Sequence, residues 1–340
     1  MTREGSFWIG MAAGAAALLG AARLLRERRA IDFEGRGVVI SGGSRGLGLV
    51  LARQLAAQGA RLCLLARDPE ELERARAQLP ADAEVMTIRC DVRRRGDVRA
   101  AMDTVLERWS AIDVLINNAG VIQVGPLEHM TAEDFENAMA THFWGPLHLM
   151  FEAVPSMRRR GFGRIVNITS VSGRIAVPHM APYTASKFAL VGLSDAVRAE
   201  LDQYGIRVTT VSPGLMRTGS PLNAFVKGQH EAEYAWFSIS DSTPGLSTSA
   251  EEAARQILEA CRYGDPELTI TMAAKLGVLA NHLLPKTIAR VMFLANRILP
   301  DPTSAPEGVR SKRGRDSETP VTRSFATALT QKAAVANNEL

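Results

Sequence analysis

The chain is poor in the residues that staple or metallate a fold. Its three cysteines, Cys63, Cys90 and Cys261, are scattered among 340 residues without pairing or ligand spacing. No disulfide framework is expected, and the usage suits a reducing compartment. The six histidines lack the spacing with acids or cysteines that a metal site needs, so metal chemistry is not expected either. No internal repeat is evident. The uncharged apolar run from Phe7 to Ala22 is sixteen residues long, short of the ~20 that span a bilayer comfortably.

Acid is missing where it would be noticed. Residues 271–300 carry Lys275, Lys286, Arg290 and Arg297 and no Asp or Glu. The net charge of +4 is distributed as +3 in residues 1–30, +4 in 271–300 and +1 in 301–340, which leaves −4 for residues 31–270. A central region that is itself acidic argues against a nucleic-acid partner.

What is present is alternation. Strand-like apolar runs at 37–41, 61–65, 84–90, 112–117, 163–169, 207–212 and 267–271 alternate with helical stretches near 46–59, 69–79, 97–110, 131–154, 183–204 and 249–262. That pattern predicts an α/β domain, doubly wound around a parallel sheet of about seven strands. Helix starts are marked: Asp68-Pro69-Glu70-Glu71 supplies a cap, a first-turn proline and an acid, and Ser249-Ala250-Glu251-Glu252 reads as a capping box. The length suits one large domain, 31–270, with appendages at 1–30, 271–300 and 301–340.

Two motifs carry chemistry. Gly37-Val38-Val39-Ile40 runs into Ser41-Gly42-Gly43-Ser44-Arg45-Gly46-Leu47-Gly48 and then into apolar residues at helical spacing. A strand, a glycine turn and a helix in succession offer unpaired N–H groups and a positive dipole end to a phosphate. The spacing is G-x-x-x-G-x-G, not G-x-G-x-x-G. Further on, Tyr183 and Lys187 stand at i and i+4 with Ser170 upstream. On a helix they share one face, and a fixed cation favours the phenolate, so the pair reads as an acid/base device.

Together these residues resemble the short-chain dehydrogenase/reductase family from about Phe33 to Leu268. The marks appear in family order: the Ser41–Gly48 loop, Asp91-Val92, Asn117-Asn118-Ala119-Gly120, Ser170, Tyr183/Lys187, and Ser212-Pro213-Gly214 with Thr218. The resemblance implies an NAD(P)-dependent oxidoreductase on a Rossmann-type sheet, moving a hydride between the cofactor and a carbonyl or secondary alcohol. It assigns Tyr183 as general acid/base, Lys187 as the cation that lowers its pKa and binds the nicotinamide ribose, and Ser170 as the hydroxyl that positions the substrate oxygen. For the cofactor it implies Gly42, Ser44, Arg45, Gly46, Leu47, Gly48, Arg67, Asp91, Val92, Asn118, Ala119, Gly120, Pro213, Gly214 and Thr218, besides Tyr183 and Lys187. An epimerase or dehydratase is disfavoured by the glycine spacing. The reading from another class is an NADP(H)-binding scaffold or redox sensor without turnover.

One position departs from the family. Where it usually has an asparagine supporting a proton relay, Thr141-His142-Phe143-Trp144-Gly145 places His142. The imidazole either takes over the relay or packs and hydrogen-bonds within its helix. Cofactor choice rests on Arg67, after Leu64-Leu65-Ala66, and on Arg45. A guanidinium matches a phosphate bidentately, so NADP(H) is expected, with NAD(H) as the alternative.

The appendages suggest a setting. Phe7–Ala22 followed by Arg23, Arg26, Arg28 and Arg29 reads as a membrane anchor over residues 7–25 with its basic flank on the cytoplasmic side. A soluble alanine-rich helix in a cytoplasmic protein and a signal peptide are the alternatives. Residues 271–300 read as two helices broken at Pro285, the second with Ile288, Val291, Met292, Ala295 and Leu299 on one face; it suits a membrane interface or packs on the domain. Residues 301–340 read as linker and tail, disordered in part. The substrate pocket is expected from Leu215 to Leu246, with Met216, Phe225, Tyr234, Trp236 and Phe237 around a hydrophobic, lipid-, steroid- or retinoid-like ligand and Lys227 and His230 as polar contacts. A homo-oligomer is compatible with all of this.

Overall fold

Seven apolar runs make one sheet. The computed structural model describes residues 20–21, 23–243, 245–324 and 327–340. Strands β1 (Gly37–Ser41), β2 (Arg61–Ala66), β3 (Val85–Arg89), β4 (Val114–Asn117), β5 (Gly163–Ile168), β6 (Ile206–Pro213) and β7 (Glu267–Ile270) pair in the order β7-β6-β5-β4-β1-β2-β3. Every ladder is parallel. This is the doubly wound order, and its reversal between β1 and β4 opens a crevice at the strands' carboxyl ends.

The helices are α1 (Gly46–Ala56), α2 (Pro69–Arg76), α3 (Arg95–Trp109), α4 (Ala132–Met139), α5 (Gly145–Arg160), α6 (Ala181–Leu201), α7 (His230–Ser242), α8 (Ala250–Tyr263), α9 (Met272–Leu283), α10 (Pro285–Asn296) and α11 (Ala328–Ala336). Side chains alternate across the pleat. Val38 and Ile40 of β1 pack into the layer with α1 and α8, whereas Val39 packs into the opposite layer with α3 and α5. Both faces are covered, which is why the strands read as continuous apolar runs. Asp68 caps as predicted, accepting from the amides of Glu70 and Glu71, and Ser249 accepts from that of Glu252, but the Glu252 carboxylate holds Arg255 and Gln256 and does not close the expected capping box.

The structure revises three expectations. The single helix predicted over 131–154 is interrupted by a π-helical turn, Ala140–Trp144, before α5 restarts at Gly145-Pro146. Pro146 has no N–H to give and its ring crowds the preceding turn, so the hydrogen-bond register widens there. The helix break at Pro285 is present, but the apolar stripe of α10 is only half-buried. Of that stripe Val291 is exposed, as are Phe293 and Leu294 beside it and Ile298 just beyond α10, Ile298 by 86 %.

The third revision is the C-terminal segment. Residues expected in part as disordered linker pack on the domain. Lys312–Arg313 pairs antiparallel with Phe225–Val226, which pairs in turn with Gln123–Val124. Ala334 of α11 is fully buried beside Leu222, Val226 and Tyr234. Low apolar content predicts disorder for a chain that must build its own core; a segment laid on a finished one needs only a few small buried residues and paired backbone groups.

Most of the expected anchor, residues 7–25, lies outside the described residues, and among those described no helix is long and apolar enough to cross a membrane. Its basic flank is partly neutralised: Arg26 holds Asp265 with two bonds of 2.8 Å and stacks on Tyr263.

Candidate active site

The register sets Ser41 level with Asn117, and Asn117 level with Asn167, so the loops leaving β1, β4 and β5 rise side by side. They wall a cleft of about 970 Å³, of a size suited to a cofactor or a large ligand. With the exception of Gly48, every residue assigned from sequence to catalysis or cofactor lines it. Gly48 acts from behind: a Cβ there would overlap the Gly42 carbonyl and approach Asn118 Nδ2 to 2.7 Å, so only glycine lets α1 seat against the turn. Gly42 itself has φ +65°, a left-handed conformation that glycine adopts without strain.

The loops are tied to one another. Asn118 Nδ2 donates to the carbonyls of Ser41 (3.2 Å) and Gly42 (3.0 Å), and Ser41 Oγ accepts from the amides of Asn118 (3.0 Å) and Ala119 (3.2 Å). On the β3 side, burial alone would raise Asp91, but bonds from Arg93 hold its carboxyl below the usual range. Gly214 after β6 must be bare as well, since a Cβ would meet Thr271 Oγ1 at 2.5 Å.

Helix α6 places Tyr183 and Lys187 on its cleft face. Lys187 Nζ donates to the Ile168 carbonyl at 2.9 Å and lies 5.6 Å from the centre of the Tyr183 ring. Burial lowers the Lys187 ammonium to about 7. The Tyr183 phenol is raised above its ordinary value, first by burial and further by Asp241, with a hydrogen bond from Ser170 pulling it back. The expected depression of Tyr183 by Lys187 is therefore not the direction found. A cation that is itself desolvated loses much of its charge, and the phenol pays its own burial cost. Asp241 is unusual in turn: burial pushes its carboxyl up to about 8.

His142, on the π-helical turn, is buried and used at both nitrogens. Nε2 accepts from the Val121 amide at 3.1 Å, which assigns the proton to Nδ1, 2.7 Å from Ser186 Oγ. Ser186 Oγ passes a hydrogen bond to the Tyr183 carbonyl at 2.8 Å. Burial, and then the charge of Lys187, hold the imidazole well below its ordinary pKa, so it is neutral. Its ring meets that of Tyr183 edge-on at 5.4 Å.

The residues present fit a dinucleotide. Gly42, Gly46 and Gly214 line the cleft, and α1 begins at Gly46 with its N-terminus at that wall, the Gly46 amide donating there to the Asn337 carbonyl at 2.9 Å. Arg45 and Arg67 line the same wall. Arg45 is bonded to Glu71 (2.9 Å) and Asn223 (3.2 Å), whereas Arg67 is exposed and forms no salt bridge among the described residues.

Of the residues expected around a substrate, Met216 and Phe225 line the cleft. Phe237 and Trp236 pack with Val124, Met180, Ala224, Val177, Ile122 and Tyr183 in an apolar lobe beside the phenol. Tyr234, Lys227 and His230 do not take part: Tyr234 is buried against the C-terminal segment, Lys227 pairs with Asp134 at 2.6 Å, and His230 bonds the Arg310 carbonyl. Among the cleft residues that sequence reading did not assign to the site are Arg313 and Glu339. Both come from the segment read as linker and tail, where no local pattern marks them.

Comparison with known proteins agrees with this geometry. The short chain dehydrogenase family model matches residues 36–225. Dehydrogenase/reductase SDR family member 7B of Bos taurus is 33% identical over 263 residues, covering 75% of this chain and 78% of its own. A short-chain dehydrogenase structure from Streptomyces avermitilis superposes with a TM-score of 0.65 at 28% identity, covering 78% of this chain and 98% of that one. A metagenomic short-chain oxidoreductase solved in complex with NADP superposes at 0.52 with 36% identity, over 55% of this chain and 86% of its own. The chain belongs to the short-chain dehydrogenase family, whose enzymes use a nicotinamide cofactor to transfer hydride to or from CH–OH and C=O groups of small molecules.

Proposed function

We propose that the protein is an NADP(H)-dependent oxidoreductase acting on the carbonyl or secondary alcohol of a hydrophobic molecule, with Tyr183 moving the proton. The observation that carries this is the convergence of Ser170, Tyr183 and Lys187 on one cleft wall, beside an apolar lobe built from Met180, Trp236 and Phe237. The cofactor, when bound, supplies or accepts the hydride.

The chain's own groups do the rest. Burial keeps the Tyr183 phenol protonated at neutral pH, ready to give its proton to a developing alkoxide, with Ser170 beside it to orient the oxygen. Lys187 would hold the cofactor ribose, and Arg45 and Arg67 its adenosine 2′-phosphate. His142 positions this machinery and does not relay protons: both of its nitrogens are committed, and they tie the loop after β4 to the backbone of Tyr183 through Ser186. The apolar lobe excludes water and favours a lipid-, steroid- or retinoid-like ligand. The scaffold reading draws no support from a site in which all three reactive side chains are assembled.

Turnover of NADPH against a panel of hydrophobic ketones and aldehydes tests the reading. Tyr183→Phe is expected to lose the ~10²–10⁴-fold that a positioned proton donor contributes while binding NADPH as before; near wild-type turnover in that variant would refute the assignment.

The setting belongs to the same proposal. Residues 7–25 anchor the chain, and residues 271–300, with four basic residues, no acid and exposed Leu276, Leu283, Phe293 and Ile298, lie on the anionic cytoplasmic surface of a membrane. Extraction of the membrane fraction at alkaline pH tests the anchor; release of the full-length chain counts against it.

A further inference from the structure

The C-terminal segment reaches the cofactor cleft with a guanidinium. Arg313 ends the short strand paired with Phe225–Val226; its Nη1 donates to the Asn223 carbonyl at 3.1 Å and its guanidinium lies 4.2 Å over the Phe225 ring. Asn223 is a gathering point, because its Oδ1 accepts from Arg45 (3.2 Å) and Arg315 (3.0 Å). Strand pairing, stacking and hydrogen bonding therefore fix Arg313 in place before any ligand arrives.

The charge around it is lopsided. Arg45 is balanced by Glu71, but neither Arg67 nor Arg313 forms a salt bridge among the described residues. Arg313 feels burial and the charges of Arg45, Arg67 and Arg315, with Asp316 as the opposing carboxylate. Like charges gathered in one cleft repel, and an arrangement held against that repulsion suits an anionic ligand that removes it.

We infer that Arg313 is a specificity-determining residue that joins Arg45 and Arg67 around the 2′-phosphate of NADP(H), so that part of the cofactor site comes from beyond the segment matched by the family. The inference rests on the NADP(H) reading above. A planar guanidinium pre-stacked on an aromatic ring presents its donors to phosphate oxygens at little entropic cost.

Titration of the full chain with NADPH, NADH and 2′,5′-ADP, followed by calorimetry, is the test. Arg313→Ala should weaken NADPH and 2′,5′-ADP about tenfold, within the range for lost charge-assisted bonds, and leave NADH unchanged; Arg313→Lys should recover part of the loss. Equal weakening of NADPH and NADH, or no change in either, would overturn it. A wild-type protein without preference for NADPH would instead refute the underlying NADP(H) reading. Unchanged thermal melting of Arg313→Ala guards against loss of the whole segment, and if melting falls, Arg313→Lys carries the test.

A different set of contacts carries a second inference. Residues 337–339 lie on the glycine turn and on the loop after β6: the Gly46 amide donates to the Asn337 carbonyl at 2.9 Å, Asn338 Nδ2 to the Ser44 carbonyl at 2.9 Å, and, after β6, the Gly219 amide to Glu339 Oε2 at 2.5 Å. Gly46 is the first residue of α1, so the Asn337 carbonyl takes a donor that a diphosphate would use, and the buried Glu339 carboxylate lies against the same turn, 2.9 Å from where a Cβ on Gly46 would stand.

The geometry points to a self-competing tail, which the cofactor must displace from the glycine turn. Glu339→Ala should tighten NADPH and NADH equally, by several-fold, since the diphosphate is common to both. In wild type, adding NADPH should speed amide exchange at 334–340. Unchanged or weaker affinity in the variant, or slower exchange on binding, would overturn this.

Discussion

The glycine turn and the C-terminal segment meet in one cleft but are specified in opposite ways. In the turn, Gly42 and Gly48 answer a local steric demand: Gly42 takes a left-handed φ, and Gly48 must lack a Cβ because the Gly42 carbonyl is already there. In the segment no position is demanded locally. Arg313 and Glu339 acquire surroundings only because a paired strand and a buried Ala334 lay the chain across a domain finished without it. The difference separates two kinds of site residue, those imposed by backbone geometry and those delivered by docking.

Substitutions sharpen that contrast. Gly48→Ala should be the most damaging, costing about 3 kcal/mol, the upper end for overpacking, because backbone and the Asn118 amide have nowhere to go; a denaturant midpoint like that of wild type would break the steric account. His142→Phe removes two buried hydrogen bonds and should cost about 2 kcal/mol. If His142 only positions α6, the pH–rate profile of His142→Asn keeps its shape, and a displaced limb would restore the relay.

Arg67→Ala should cut the preference for NADPH over NADH about tenfold, roughly 1.4 kcal/mol, read from the two dissociation constants. An unchanged ratio would move 2′-phosphate recognition away from β2.

Lys187 gives a pH signature. Its folded pKa is lowered to about 7 from 10.5, so between these values the unfolded chain binds a proton that the folded one does not, and stability attributable to Lys187 rises with pH across that window. Relative to Lys187→Met, which stays neutral, wild type should gain stability from pH 7 toward 10; parallel curves would contradict burial of the ammonium. The smallest effect is expected from Ala334→Asp. It should free the tail to proteolysis while shifting the main melting transition little, and a large shift would show that the domain depends on the tail.

Much of this site was legible in sequence because local spacing and tertiary position coincide there. The strand, turn and helix around Ser41–Gly48 form a continuous unit, and Tyr183 and Lys187 are brought together by the helix pitch alone. The electrostatic consequence was not legible. A cation beside a phenol should depress it, yet both are buried, and desolvation is a property of everything packed around them. His142 was visible as a departure from the family, but its role depended on Val121 and Ser186, which lie 21 and 44 residues away.

The sequence by itself determined the alternating elements, a parallel sheet of about seven strands and the candidate set Ser170, Tyr183 and Lys187, because period, turn chemistry and helical spacing are short-range properties of the chain. Only the tertiary structure decided the protonation balance of that set, the neutral bridging role of His142 and the arrival of Arg313 and Glu339 in the cleft. Those depend on burial and on contacts between residues far apart in the chain, which no local pattern encodes.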